Sequence, residues 1–223
     1  MDQDLDTTAS PPRRTRRKEA RPGELLDAAL DLFVERGYAA TKVEDVASRA
    51  GVSKGTLFLY FPSKEELLKA VVRHSIVGLF DRWSSEIDSY TASSAEMLIY
   101  ALDEWWKHVG CTKAAGICKL MTAEACNFPE LAKFYQQEVE APGAALLARI
   151  VRRGIARGEF RAVDVDYAVY ALKAPMMFLM LQPPASAGGD RPFDAERFLR
   201  TQSDLLLRGL EAAPHGVGPG TAP

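Results

Sequence analysis

Ser53, Lys54, Gly55, Thr56 and Tyr60 bring two hydroxyls, an ammonium, a phenol and one residue without a side chain into a single short stretch. These groups donate and accept hydrogen bonds, and together they suit base edges and phosphate oxygens rather than bond cleavage. The rest of the chain supplies no catalytic set: there is no G-x-S-x-G elbow, phosphate-cradling loop or H-E-x-x-H pair. His74, His108 and His215 are too scattered for a metal site, and Cys111, Cys118 and Cys126 lack C-x-x-C spacing. An odd set of unpaired thiols reads as reduced cysteine in a cytoplasmic protein. Neither a metal, a cofactor nor an enzymatic activity is expected.

The polar cluster needs a frame that presents it. Val43, Val46, Ala47 and Ala50 recur at the spacing of an amphipathic helix. Gly51 follows, suited to the left-handed conformation that ends a helix and turns the chain. Val52 anchors the turn, Ser53 stands at an N-cap position, and Lys54 to Tyr60 form a second helix with Leu57 and Phe61 turned inward. Lys54, Thr56 and Tyr60 are left outward, with Gly55 among them. The spacing predicts a helix-turn-helix, which sets the first residues of its second helix against base edges.

The flanks support the same reading. A helix from Pro22 to Arg36 buries Leu26, Ala29, Leu30 and Phe33 and stops at Gly37. Thr41 and Glu44 have the spacing of a capping box, and a hydroxyl at a helix N-terminus can also meet a phosphate. Ser63 and Glu66 repeat the pattern after Pro62. Lys64 falls in the first turn of that next helix, where the macrodipole disfavours a cation unless a phosphate is bound nearby. Arg13, Arg14, Arg16, Arg17, Lys18 and Arg21 form a basic arm over residues 1–21 that can lie along phosphates or enter a minor groove. The formal net charge of -2 hides this local excess.

Residues 25–72 resemble the DNA-binding domain of the tetracycline-repressor (TetR) family. The resemblance rests on the helix with Phe33 and Gly37, the Thr41 position, the run AGVSKGTL and the junction FPSKEEL, in order and at the family's spacing. It implies an all-α homodimer with a C-terminal helical domain for dimerisation and ligand binding. It also implies base contacts from Lys54, Gly55 and Thr56, with Ser53 nearby, and phosphate contacts from Thr41, Tyr60 and Lys64. Two positions depart from the family pattern. Phe58 replaces a common tyrosine, and Leu59 stands where an aromatic is frequent. Both stay in the expected DNA-facing set, Phe58 as a residue that can touch a thymine methyl or pack.

Beyond Leu68 the chain of 223 residues reads as helical to the end, with no strand-like alternation and about nine helices in all. The expected division is an arm at 1–21, a reading domain at 22–67, a ligand-binding and dimerisation domain at 68–211 and a loose tail at 212–223. A kink is expected at Pro142-Gly143 and a loop at 182–192. The last two helices are apolar on more than one face, which suits a four-helix dimer interface through Tyr170, Ala174, Met177, Leu181, Leu199, Leu206 and Leu210. Trp105, His108, Met121, Glu124, Phe128, Phe134 and Met176 are the expected lining of an apolar cavity. No long apolar run marks a membrane span. The expected protein is a homodimeric repressor that binds an inverted-repeat DNA operator and is released by an apolar small-molecule effector. An effector-free regulator, or an all-α enzyme or carrier containing a helix-turn-helix, are the alternatives.

Overall fold

A computed structural model describes residues 22–181 and 193–212. The arm at 1–21, the loop at 182–192 and the tail from 213 onward lie outside the described residues. Among the described residues the structure is helical, apart from one isolated bridge between Phe160 and Glu211. Helices α1 (Pro22–Ala40), α2 (Val43–Arg49) and α3 (Lys54–Tyr60) form the head. Helix α4 has two parts, Lys64–Ser75 and Phe80–Ser89, joined by a 3-10 turn at Val77–Leu79. Helix α5 is Ser94–Trp105 continued by a π turn at Trp106–Gly110, and α6 is Ala114–Glu124. Helix α7 has the parts Pro129–Tyr135 and Ala141–Ala156, separated by a π turn at Gln136–Glu140. Helices α8 (Val165–Leu181) and α9 (Ala195–Leu210) complete the described chain.

Side-chain caps fix most of the starts. Ser53, Ser63 and Ser93 each accept the backbone N–H three residues on, and Glu96 reaches back to Ser93 N to close a full capping box. Asp164 and Asp194 cap α8 and α9 in the same way. Gly51, at φ 70°, makes the turn between α2 and α3. The irregularity in α7 lies a turn before the expected kink. Pro142 has no N–H to give Glu138 O, and its ring crowds that carbonyl. The wider π turn just upstream, with Ala141 N donating to Gln136 O, relieves the crowding while the helix continues.

Two apolar clusters hold the molecule. The first joins α1 to α4 with α6 and the start of α7, around Leu25, Phe33, Leu57, Leu67, Val72 and Ile117. The second joins α5, the end of α7, α8 and α9, around Met97, Leu98, Ile150, Leu172 and Leu207. The head therefore shares its core with α6 rather than closing on itself. The seam is tight: a Cβ on Gly116 of α6 would lie 2.6 Å from Val34 Cγ2 of α1. Lys113 pairs with Asp31 across the same contact at 2.5 Å, and Tyr38 packs edge-on against Phe128 at 4.7 Å.

Candidate nucleic-acid interface and effector cavity

Helix α3 presents its polar groups as the sequence predicts. Leu57 is fully buried beneath it, while Leu59 is 85% exposed and Phe58 and Tyr60 are also exposed. Ser53 Oγ accepts Thr56 N at 3.0 Å and lies 2.8 Å from Thr56 Oγ1, so the cap also orients the threonine hydroxyl. Lys54 Nζ rests on Glu44 Oε1 at 2.5 Å and over the Phe58 ring at 5.6 Å. That contact, helped by Glu44's own backbone hydrogen bond, holds the Glu44 carboxyl below the usual range. Both members are exposed, so the pair is weakly held and free to exchange for another acceptor. No Cβ covers the backbone at Gly55, and the nearest heavy atom to where one would sit is Ser53 Oγ at 3.8 Å. A flat partner can approach closely there.

Thr41 and Lys64 face the other way. The expected capping box at Thr41 is absent: the N-cap of α2 is Lys42, which makes no side-chain cap. Thr41 is 1% exposed, and its hydroxyl donates back to Leu32 O at 3.1 Å and Gly37 O at 2.7 Å. Gly37, at φ 81° and ψ 169°, breaks α1 as the sequence predicts, and the short turn from Tyr38 to Ala40 beyond the break carries Thr41 back under the helix rather than out to the start of α2. Lys64 Nζ donates to Tyr38 O at 2.8 Å, Thr41 O at 3.1 Å and Ala39 O at 3.2 Å, and sits 4.5 Å from the Tyr38 ring centre. Burial lowers its pKa, with Glu124 acting weakly in the opposite sense. Its charge thus caps the C-terminal end of α1, where a cation is favoured, and offsets the poor placement in its own first turn.

A cavity of about 120 Å³ lies among α4, α5, α6, α7 and α8. Its wall is mostly apolar and aromatic, with Ile76, Phe80 and Trp83 from α4, Trp105 from α5, and Met176 and Met180 from α8. The polar groups are few, and most are paired, although Trp83 Nε1 is buried without a hydrogen-bond partner. Tyr100 Oη donates to Glu86 Oε2 at 3.1 Å, and Glu104 meets His108 Nε2 at 3.2 Å and Arg82 Nη2 at 3.4 Å. Lys173 of α8 pairs with Glu140 of the π turn. Burial raises the pKa of Tyr135, and it raises that of Cys118 to about 11, which keeps that thiol protonated near neutral pH.

Of the residues expected in a cavity, Trp105 and Met176 line it, and His108 stands behind it as a partner of Glu104. Met121, Glu124, Phe128 and Phe134 lie instead along the seam under the head. Met121 and Phe134 belong to the first cluster and Phe128 packs on it. Glu124 approaches Gly37, and Phe134 carries Arg73 and Lys69 over its ring. Sequence reasoning did not pick out Glu86, Tyr100, Glu104, Tyr135, Glu140 or Lys173. One signal was available, because Lys173 is the single charged residue between Asp166 and Leu181.

Along α8, Tyr170, Ala174 and Leu181 are exposed in the single chain, whereas Met177 is half-buried on the cavity wall. On α9, Leu199 and Leu210 are buried and Leu206 packs on the second cluster, so these three serve the chain's own core. Tyr167, Phe178 and Leu205 are also turned outward. Sequence periodicity shows two stripes on each helix but not which one the chain itself consumes.

A helix-turn-helix head locked to a helical domain with an internal cavity defines a class of DNA-binding regulator. Residues 25–71 match the profile described as bacterial regulatory proteins, tetR family, and residues 93–192 match the tetracyclin repressor-like C-terminal domain. The transcriptional repressor KstR2 of Mycolicibacterium smegmatis is 30% identical over 151 residues, 66% of this chain and 71% of that protein. The Mycobacterium tuberculosis KstR2 sequence is 43% identical over 79 residues, a match that spans only 39% of that relative's length. The solved structure of the ketosteroid regulator KstR2 of Mycobacterium tuberculosis superposes with a TM-score of 0.61 at 25% identity, covering 90% of this chain and all of that one. The Bacillus subtilis regulator FadR, solved with stearoyl-CoA, shares the fold with a TM-score of 0.67 at 21% identity, over 85% of this chain and 99% of that one. The chain belongs to the TetR family of transcriptional regulators. No described helix is long and apolar enough to cross a membrane.

Proposed function

We propose that this regulator is a homodimeric repressor that grips an inverted-repeat operator and lets go when a small apolar molecule enters the cavity. The observation that carries this is the double duty of α4. Its first part packs Leu67, Leu68, Val71 and Val72 into the core of the head, and its later residues Ile76, Phe80 and Trp83 wall the cavity. A ligand that favours a different placement of α4 changes the separation of the two heads and so their match to the half-sites. A relative described as a ketosteroid regulator supports an apolar effector. The head at 22–67 reads DNA and the domain at 68–211 binds effector and partner.

In this reading Lys54, Gly55 and Thr56 meet base edges, Ser53 orients them, and Phe58, Leu59 and Tyr60 meet thymine methyls and backbone. Thr41 and Lys64 hold the frame from behind. Tyr170, Ala174 and Leu181 of α8 join Tyr167, Phe178 and Leu205 in the dimer contact, because these apolar groups are left uncovered in the single chain.

The test begins with selection of bound duplexes from a random pool by the purified wild-type protein. The expected product is an inverted repeat whose half-sites lie one helical turn apart, roughly 34–36 Å, or a multiple of it. Thr56→Ala should then reorder affinities among operator variants rather than lower them all equally. A library of small molecules screened against that complex should contain apolar compounds that release it. Recovery of no preferred sequence at physiological salt would overturn the reading.

A further inference from the structure

The two carboxylates of the π turn in α7 point to opposite sides. Glu138 faces α4, where Arg73 grips it through Nε at 2.8 Å and Nη2 at 2.6 Å while lying 5.0 Å from the Phe134 ring centre. Glu140 faces the cavity and pairs with Lys173 of α8. Val139 on the same turn, and Tyr135 just before it, also line the cavity. One irregular turn thus holds the helix that carries the head with one hand and the cavity wall with the other.

We infer that this turn couples the cavity to the head. This rests on the reading of the cavity as the effector site. A π turn carries one residue more than the helix on either side of it, so it can exchange with ordinary α geometry at modest cost, and such turns are frequent at functional sites. Pro142 keeps the turn available because a regular helix would press its ring on Glu138 O. The pair between Glu140 and Lys173 fixes the turn from the cavity side. A ligand that fills the cavity must displace or reorient that pair, since its two members are the charged groups that α7 and α8 contribute to the lining. Glu140 then releases the turn, Glu138 shifts with it, and Arg73 carries the shift into the first part of α4. The Lys173–Glu140 pair is partly buried, with side-chain exposures of 26% and 30%, whereas the Arg73–Glu138 pair is more exposed, at 47% and 33%, and is held by its two parallel hydrogen bonds. They are held firmly enough to transmit a shift and open enough to break.

A double-mutant cycle tests this without any effector. Lys173→Met frees the turn on the cavity side, and Glu138→Gln cuts its hold on α4. Each single change should weaken binding to the selected operator by about fivefold or more, the low end of ordinary allosteric coupling. The double variant should bind no worse than the weaker single, because one path is cut twice. Hydrogen exchange measured without DNA should show faster amides at 136–140 and 64–75 in Lys173→Met, and the effect on 64–75 should vanish when Glu138→Gln is already present. Additive losses in both affinity and exchange would overturn the inference. If Lys173→Met does not fold, Lys173→Gln enters the same cycle. If no operator is ever selected, the proposed function falls, while the exchange cycle still decides the coupling.

Discussion

Replacing Lys64 with methionine keeps the aliphatic stem and removes the charge. The ammonium donates to three carbonyls at the end of α1, so Lys64→Met strips the cap from that helix and leaves Tyr38 O, Ala39 O and Thr41 O short of donors. A cation in a favourable, partly buried helix C-terminus is worth up to about 2 kcal/mol. Three hydrogen bonds to one charged group do not add, and the lowered pKa shows that desolvation already offsets part of the gain. A net loss of about 1–2 kcal/mol is the working figure. For a protein of this length that lowers Tm by about 2–8 °C, measured by calorimetry or by circular dichroism. The contrasting role, contact with a DNA phosphate, has a different signature. Each phosphate contact contributes about 0.9 to the slope of log affinity against log salt. The expected result is a lower Tm with an unchanged salt slope for the selected operator. A slope shallower by about 0.9 would refute the reasoning, because it would show the ammonium leaving α1 for the DNA.

Thr41→Val should cost about 1–2 kcal/mol in urea unfolding, since it removes the donor to Leu32 O and Gly37 O from a fully buried site; unchanged stability would mean the hydroxyl holds nothing. Tyr170→Glu sets a charge on the outer stripe of α8 and should shift sedimentation from dimer to monomer. A dimer of undiminished stability would place the interface elsewhere. A thiol reagent at neutral pH should modify Cys111 and Cys126 rapidly and Cys118 slowly, because Cys118 is buried with a pKa of about 11. Three equal rates would contradict that burial.

The head was legible because its signals are local. Gly51, Ser53 and Ser63 act within a few residues of themselves, and the cap and turn chemistry they announce is what the structure contains. Thr41 shows the limit of such patterns. Its spacing to Glu44 matches a capping box, yet the hydroxyl donates backward to α1, because the chain breaks at Gly37 and makes one further turn that folds Thr41 beneath the helix. The cavity was harder still. Met121, Phe128 and Phe134 have the composition of a pocket wall, and only tertiary packing assigns them to the seam under the head. The pair that matters on the wall joins Glu140 to Lys173 across 33 positions, which no periodicity connects.

The shared core beneath α1 also limits how far such a head can be treated as an interchangeable part. Val34 sits where Gly116 leaves room, Tyr38 needs the edge of Phe128, and Asp31 answers Lys113. A reading head transplanted from a relative to redirect this regulator would arrive without those counterparts. Successful grafts would have to carry the facing residues of α6 and the start of α7 with them. A graft cut at the end of α3 alone would yield a protein that still recognises its operator only if the borrowed α1 happens to fit the same socket.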